Sequence, residues 1–246
     1  MKEKIIAIIP ARYKSSRFEG KPLALIKGKT LIQRTYESSL ACSMLDDVYI
    51  ATDDERIKNH VHSFFAKSLL TSENCLNGTA RIAEALTLYP ELQEASIILN
   101  IQGDHPFISS TTLEKMITLL QRDKNAIAST AASPFTEKEK ALSPHLVKCV
   151  IDRNQNALYF SRSPIPYSKK EEKILYHAHI GVYAYRRDFF EKFPLFTATP
   201  LQKTEDLEQL QLLEYGFRMK VAIVDEKPIG VDTPEDIAKA EKYLCP

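Results

Sequence analysis

Arg12, Lys14, Arg17 and Lys21 crowd into ten residues of the stretch IIPARYKSSRFEGKPLA (8–24), interleaved with Ser15, Ser16 and Gly20. Guanidinium and ammonium groups at that density, with hydroxyls between them, can accept several negative charges at once, as a triphosphate presents them. The stretch is not a P-loop. EGKP at 19–22 resembles the end of GxxxxGK[ST], but Ser15 stands where the first glycine belongs and Pro22 where the metal-binding hydroxyl belongs. A GxGxxG fingerprint is absent as well, which argues against a dinucleotide. The competing reading is a solvated charged loop. Pro10, Gly20 and Pro22 weigh against it, because they give the loop a fixed shape.

Two carboxylates could complete such a site. Asp104 follows the apolar run IILNI in IILNIQGDHP (97–106), where a strand-end carboxylate can hold a hard cation, although an N-cap or turn role is as common for such a residue. In IGVDTPEDIAKAEKYL, Thr233 is placed to cap a helix, Pro234 suits its first position, and Glu235 and Asp236 favour its positive end. Asp232 lies just before that cap and is not needed to make it, so it is free to act as a second ligand. A cationic loop facing one or two carboxylates suits Mg²⁺–polyphosphate chemistry, because Mg²⁺ keeps several waters and takes few protein ligands beside phosphate oxygens.

The elements that must hold these groups alternate. Strand-like runs at Lys4–Ile9, Val48–Ala51, Ser68–Leu70, Ile97–Ile101 and Ala126–Thr130 are separated by amphipathic segments near 30–43, 54–65, 79–89 and 110–122. Such alternation predicts an α/β sandwich with a mostly parallel sheet, whose ligands bind outside the carboxyl ends of the strands. The middle of the chain breaks the rhythm. VKCVIDRNQNALYFSR (146–161) reads as two strands around a polar turn and HIGVYAYR (179–186) as another, an antiparallel lobe at about 133–200 within a single domain spanning 1–246. MKVAIVD and TPEDIAKAEKYL then return to strand and helix.

Composition bounds the rest. With 246 residues, 44% hydrophobic and 26% charged, and a net charge of +1, the chain is an ordinary globular one with no field for nucleic acid or a lipid surface. The basic loop is therefore local. Cys42, Cys75, Cys149 and Cys245 have no metal-ligand spacing and read as reduced and mostly structural, and the apolar run before Pro10 is too short for a signal segment. A cytoplasmic address is the default expectation. Of only seven glycines, Gly20, Gly78, Gly103, Gly181 and Gly230 fall in segments singled out on other grounds.

Taken in order, PARYKSSRFEGKPLALIKGKTLI, ATDD, NGTARIAEA, NIQGDHP, ALYFSRSPIP, HIGVYAYR, LEQLQLLEYG and GVDTPEDI resemble the 3-deoxy-manno-octulosonate (Kdo) cytidylyltransferases over nearly the whole chain. The resemblance implies a Rossmann-like nucleotidyltransferase sandwich in which the anomeric hydroxyl of Kdo attacks the α-phosphorus of CTP, with Mg²⁺ as cofactor and a homodimer as the assembly. It implies Ala11, Arg12, Ser16, Arg17 and Lys21 as the triphosphate cradle, and Gly78, Thr79 and Arg81 on the nucleotide side. Lys21, Arg12 and Asp104 would be catalytic, and Asp104 and Asp232 metal ligands. Gln102, Arg162, His179, Glu208 and Gln209 would line the sugar-acid pocket.

The chain departs from the family pattern at His105, where GDHP replaces GDEP, at Asn77 and Ala80, where NGTAR replaces SGTER, and at Glu19, where proline is common. Other readings remain beside this one. His177 and His179 form an alternating pair on one strand face, with no spacing that would make them a metal site with His105. Glu208 and Gln209 could face solvent on a helix. Transfer of CMP to another acidic sugar, or nucleotide binding without turnover, would use the same loop.

Overall fold

The computed structural model describes residues 3–15, 17–169, 174–226 and 229–244. Two compact units are present, one formed by Met1–Glu114 with Pro228–Pro246, the other by Lys115–Lys227.

The first unit is built on four parallel strands. β1 (Lys4–Ala11) is followed by a hairpin, β2 (Leu25–Ile26) and β3 (Lys29–Thr30), then α1 (Leu31–Leu40), β4 (Asp47–Thr52), α2 (Glu55–Ser63), β5 (Lys67–Leu70), α3 (Gly78–Leu88) and β6 (Ala95–Ile101). The strand order is β6-β1-β4-β5. β1 and β6 bury side chains of both parities, with Ile6, Ile8, Ile9, Ile97, Ile98 and Leu99 wholly inaccessible. Continuous burial of that kind requires helices on both faces. β1 runs two residues past the expected end at Ile9. Pro10 cannot donate to a ladder, but beyond Ile8 only the β4 side is paired, through Pro10↔Ala51 and Ala11↔Thr52. The carboxyl ends of β1, β4 and β5 thus stand abreast, since Thr52 also pairs with Leu70.

Side-chain caps start the helices at that edge. The Asp54 carboxylate accepts the Arg56 N–H at the head of α2, the Asn77 amide oxygen accepts the Ala80 N–H at the head of α3, and the Thr30 hydroxyl accepts the Gln33 N–H at the head of α1. The C-terminal helix Pro234–Tyr243 starts at a Thr233 N-cap, as its sequence predicts, and Asp236 completes a capping box with it. Its Ala240 packs with Ile26, Leu31 and Val231 in a small core that Phe18 of the basic loop also joins.

The second unit carries β7 (Ala126–Phe135), β8 (Lys148–Ile151), β9 (Ala157–Ser161), β10 (Tyr176–Arg186) and β11 (Arg218–Ile223). β11 is parallel to β7, while β10 is antiparallel to β7 and β8, and β8 to β9. β7 is twice the expected length. Its second half, Ala131–Phe135, is small residues and proline up to the final Phe135, with little strand preference before it, and the ladder with β10 extends it. The α/β class, the parallel strands and the antiparallel segment in the middle of the chain all agree with the reading of the sequence. Among the described residues no helix is long and apolar enough to cross a membrane.

Cys42, Cys75 and Cys149 are free thiols, and Cys245 lies outside the described residues. Burial pushes the Cys149 thiol up to about 12, and burial together with the Glu84 carboxylate pushes Cys75 up to about 11. We expect Ellman's reagent at pH 8 to leave Cys75 and Cys149 unmodified in the native chain and to reach them in urea. Fast labelling of either in the native state would contradict this packing.

Candidate active site

The basic loop leaves β1 at Ala11 and returns at Gly20, whose N–H donates to the Tyr13 carbonyl at 2.9 Å. Gly20 has φ +69°, a left-handed conformation, and a Cβ there would meet the Tyr13 ring at 3.2 Å. The single turn Lys21–Leu23 then aims Lys21 back across the edge of the sheet. Its ammonium lies 3.0 Å from Asp104 Oδ2 and 3.4 Å from Asp232 Oδ1, and Arg17 Nη2 is 3.5 Å from the same Asp232 oxygen.

Asp104 and Asp232 come together through the main chain. The Val231 N–H donates to the Asp104 carbonyl at 3.0 Å, so the segment before the C-terminal helix is stitched to the loop after β6. The Asp232 N–H donates to the Asp236 carboxylate, which leaves the Asp232 carboxylate outside the cap, as the sequence predicts. Burial works to raise the Asp104 carboxyl, but His105, with Nε2 at 3.7 Å from Oδ1, and the Lys21 ammonium outweigh it and hold the group below its ordinary value.

An open cleft of about 180 Å³ lies over this cluster. Ala11, Arg12, Arg17 and Lys21 line it on one side and Gln102, Asp104 and Asp232 on the other. Glu19 borders a second depression with Arg12 and Lys14, so the acid sits at the outer rim of the cationic loop. Ser16 lies outside the described residues.

Metal binding can be tested on the donor set. Oxygens of Asp104 and Asp232 both lie within 3.4 Å of one cationic nitrogen, so the two carboxylates already converge on a single positive centre. Among the described residues no group of three or more His, Cys, Asp or Glu could hold a metal ion. Two carboxylates with water and phosphate oxygens fit Mg²⁺, and would not make a closed site for a softer metal.

Gly78, Thr79 and Arg81 are close to this machinery but mostly buried. Thr79 Oγ1 accepts from Asn100, whose amide oxygen accepts from Gln102 Nε2 at 2.7 Å. Arg81, 3% exposed, donates to the Asp53 carboxylate at 2.9 Å and to the Thr71 hydroxyl. Its charge is committed to Asp53 in the loop after β4, and its other terminal nitrogen to Thr71 after β5. Neither the Asp53–Arg81 pair nor the Val231–Asp104 bond is foreshadowed by spacing, because both join segments far apart in the chain. Doubled aspartates in ATDD were the available signal for the first of them.

The second unit holds the remaining candidates. His179 Nε2 lies 2.9 Å from the Thr130 hydroxyl, and its ring is edge-on to Phe160 and tilted against Tyr183. The Tyr183 hydroxyl, a group not singled out from sequence, donates to Gln209 Oε1 at 3.2 Å. Gln209 is 3% exposed and its buried Nε2 has no partner among the described residues. Glu208 precedes the helix Gln209–Glu214 that carries it. Arg162 is pinned by carbonyls of Glu205, Asp206 and Pro144, which uses three of its five N–H groups and leaves one on each terminal nitrogen. Its own carbonyl is held by the buried Lys148 ammonium.

Comparison with known proteins gives a consistent result. The cytidylyltransferase family model matches residues 6–227. A 3-deoxy-manno-octulosonate cytidylyltransferase from Protochlamydia amoebophila (strain UWE25) is 52% identical over 248 residues, covering 100% of this chain and 96% of that protein. The enzyme of the same name from Chlamydia abortus (strain DSM 27085 / S26/3) is 46% identical, covering 98% of this chain and 94% of its own. A solved structure of CMP:2-keto-3-deoxy-manno-octonic acid synthetase in complex with CTP matches with TM-score 0.93 at 37% identity, over 98% of both chains. 4-Diphosphocytidyl-2C-methyl-D-erythritol synthase from Anaerococcus prevotii shares the fold, with TM-score 0.64 at 17% identity over 99% of this chain and 96% of its own.

A Cβ at Gly78 would approach Gln102 Nε2 and Pro10 Cγ to 2.9 Å. We expect Gly78→Ala to cost about 1–3 kcal/mol in urea unfolding, because the proline ring cannot give way. A variant as stable as the parent would show that α3 can move off the β1 edge.

Proposed function

The chain belongs to the cytidylyltransferase family, and on that premise we propose that it transfers CMP from CTP to the anomeric hydroxyl of 3-deoxy-D-manno-octulosonate. CMP-Kdo and pyrophosphate are the products, for lipopolysaccharide synthesis. The observation that carries this reading is the Lys21–Asp104–Asp232 cluster beneath a cationic loop, which supplies both signs of charge that metal-assisted phosphoryl chemistry needs. The relatives' names supply the sugar.

Each residue then has a task. Arg12 and Arg17 neutralise the triphosphate, Ala11 and Ser16 complete its cradle, and Lys21 meets the charge that builds on the α-phosphoryl group. Asp104 and Asp232 would hold Mg²⁺. Bound there, the ion supplies charge neutralisation and a lowered pKa for the attacking hydroxyl. Gly78, Thr79 and Arg81 set the nucleotide side of the pocket, Arg81 through the loop it anchors rather than through a free guanidinium. Gln102, His179, Glu208 and Gln209 recognise the sugar hydroxyls. Arg162 offers to the sugar carboxylate the two N–H groups that its carbonyl partners leave, with the Asp206 carboxylate 3.9 Å from Nη2 as their competitor.

We also read the protein as a cytoplasmic homodimer and as one domain with a smaller lobe near 133–200. Exposed apolar side chains in the second unit, Leu158, Tyr167 and Leu195 among them, are the kind of surface a second copy would cover.

Pyrophosphate release should require CTP, Mg²⁺ and Kdo together, and a panel of four nucleotides and several sugar acids separates this reading from a transferase for another acidic sugar. Asp104→Ala should fold normally and lose roughly 100-fold or more in kcat. Full activity in that variant would remove Asp104 from the metal assignment. Tight CTP binding with no turnover on any sugar acid would instead favour a binding module.

Lys21 and a divalent cation contend for the same two carboxylates. Lys21→Met should therefore abolish turnover while tightening Mn²⁺ binding in the absence of nucleotide, read by electron paramagnetic resonance. Unchanged Mn²⁺ affinity would show that the ammonium and the metal use separate positions.

A further inference from the structure

The Arg56 side chain, beyond the sheet edge that carries the carboxylate cluster, is held at Nε and one terminal nitrogen. Nε donates to Asp54 Oδ1 at 3.0 Å and Nη2 to Asp54 Oδ2 at 2.7 Å, while the Arg56 N–H donates to the same Oδ1 in capping α2. The guanidinium carbon stands 3.3 Å from the centre of the Tyr13 ring. That ring in turn lies where a side chain on Gly20 would have to go, and the Tyr13 carbonyl receives the Gly20 N–H.

We propose that Arg56, clamped by Asp54, is a positioning residue for the phosphate-binding loop: it presses the Tyr13 ring against Gly20 and so sets the base from which Lys21 projects. The inference rests on the function proposed above for that loop.

The stack is the means of control at the open end of the loop. At the other end Phe18 is anchored in the core formed by Ile26, Leu31 and Val231. Lys14 to Glu73 at 2.8 Å, another tether of the loop, joins two side chains that are 84% and 68% exposed, and such pairs contribute little. An arginine is needed because only its planar fork can grip both carboxylate oxygens and stack on a ring together. The hydrogen-bonded Asp54 carboxylate favours the positive charge on Arg56.

The segment Thr52–Asp54 then serves both flanks of the site. Asp53 holds Arg81 and the loop before α3, and Asp54 holds Arg56 and the loop after β1.

Two measurements on the full chain test the idea. The first is hydrogen exchange of the Gly20 amide without ligand, and the second is CTP affinity by calorimetry, each for the parent, Arg56→Ala, Arg56→Lys, Tyr13→Leu and the Arg56→Ala/Tyr13→Leu double variant. We expect Arg56→Ala to speed Gly20 exchange and weaken CTP two- to fivefold, the scale of an exposed cation–π contact, as a change in KM with kcat held within twofold. Arg56→Lys should not restore either value, and the double variant should be no worse than Tyr13→Leu alone. Parental exchange and affinity in Arg56→Ala, rescue by lysine, or fully additive losses would overturn the proposal. A parent chain that binds no nucleotide would sink the proposed function, and Gly20 exchange in Arg56→Ala would still decide whether Arg56 orders the loop.

Discussion

One ammonium shared between two carboxylates organises the first unit. Asp104 and Asp232 could not face each other at this edge without a cation, since two partly desolvated carboxylates repel and one would take up a proton. Lys21 supplies that charge at 3.0 and 3.4 Å. Three pieces of backbone must then be held in place: the loop after β1, the loop after β6, and the approach to the C-terminal helix. Each has its own fastening. Gly20 bonds back to Tyr13, Val231 bonds to Asp104, and Asp236 ties down the N–H groups of Asp232 and Thr233.

These fastenings are main-chain bonds and short caps, while the charged side chains remain adjustable. That division matters for a site that must exchange ligands. Lys21 can leave the carboxylates for a phosphate without disturbing the backbone bonds that set their positions, because no cap depends on it. Exposure grades the same way: the Lys21 and Asp104 side chains are 18% and 28% exposed, and Asp232, at the mouth, 52%. A negatively charged ligand therefore meets Arg12 and Arg17 at the rim before it competes for the more buried lysine.

The parallel core and the chemistry-bearing loops were legible in the sequence because both rest on local pattern. Ile-rich runs mark strands covered on two faces, and a basic loop behind such a run marks the ligand edge. The Thr233–Pro234 helix start was legible for the same reason, since capping needs only neighbours. What was not legible depends on contacts between distant segments. Nothing near Arg81 in the chain announces that Asp53 and Thr71 hold it, and nothing near Arg162 announces its three carbonyl partners. The length of β7 was hidden because small residues carry no strand signal and the neighbouring ladders extend it.

The departures from the family pattern follow from the same physics. Asn77 replaces a serine at the head of α3, and its amide oxygen accepts the Ala80 N–H at 2.8 Å, so one good N-cap stands in for another. Ala80 itself contributes only its backbone to that cap. His105 is a larger change, since it puts a potential cation rather than an acid beside Asp104. Its effect runs with that of Lys21: both lower the Asp104 carboxyl and keep it ionised against the pull of burial. A carboxylate that stays charged is the form a hard cation requires. His105 therefore favours the ionised Asp104, which a carboxylate at the same position would oppose by repulsion.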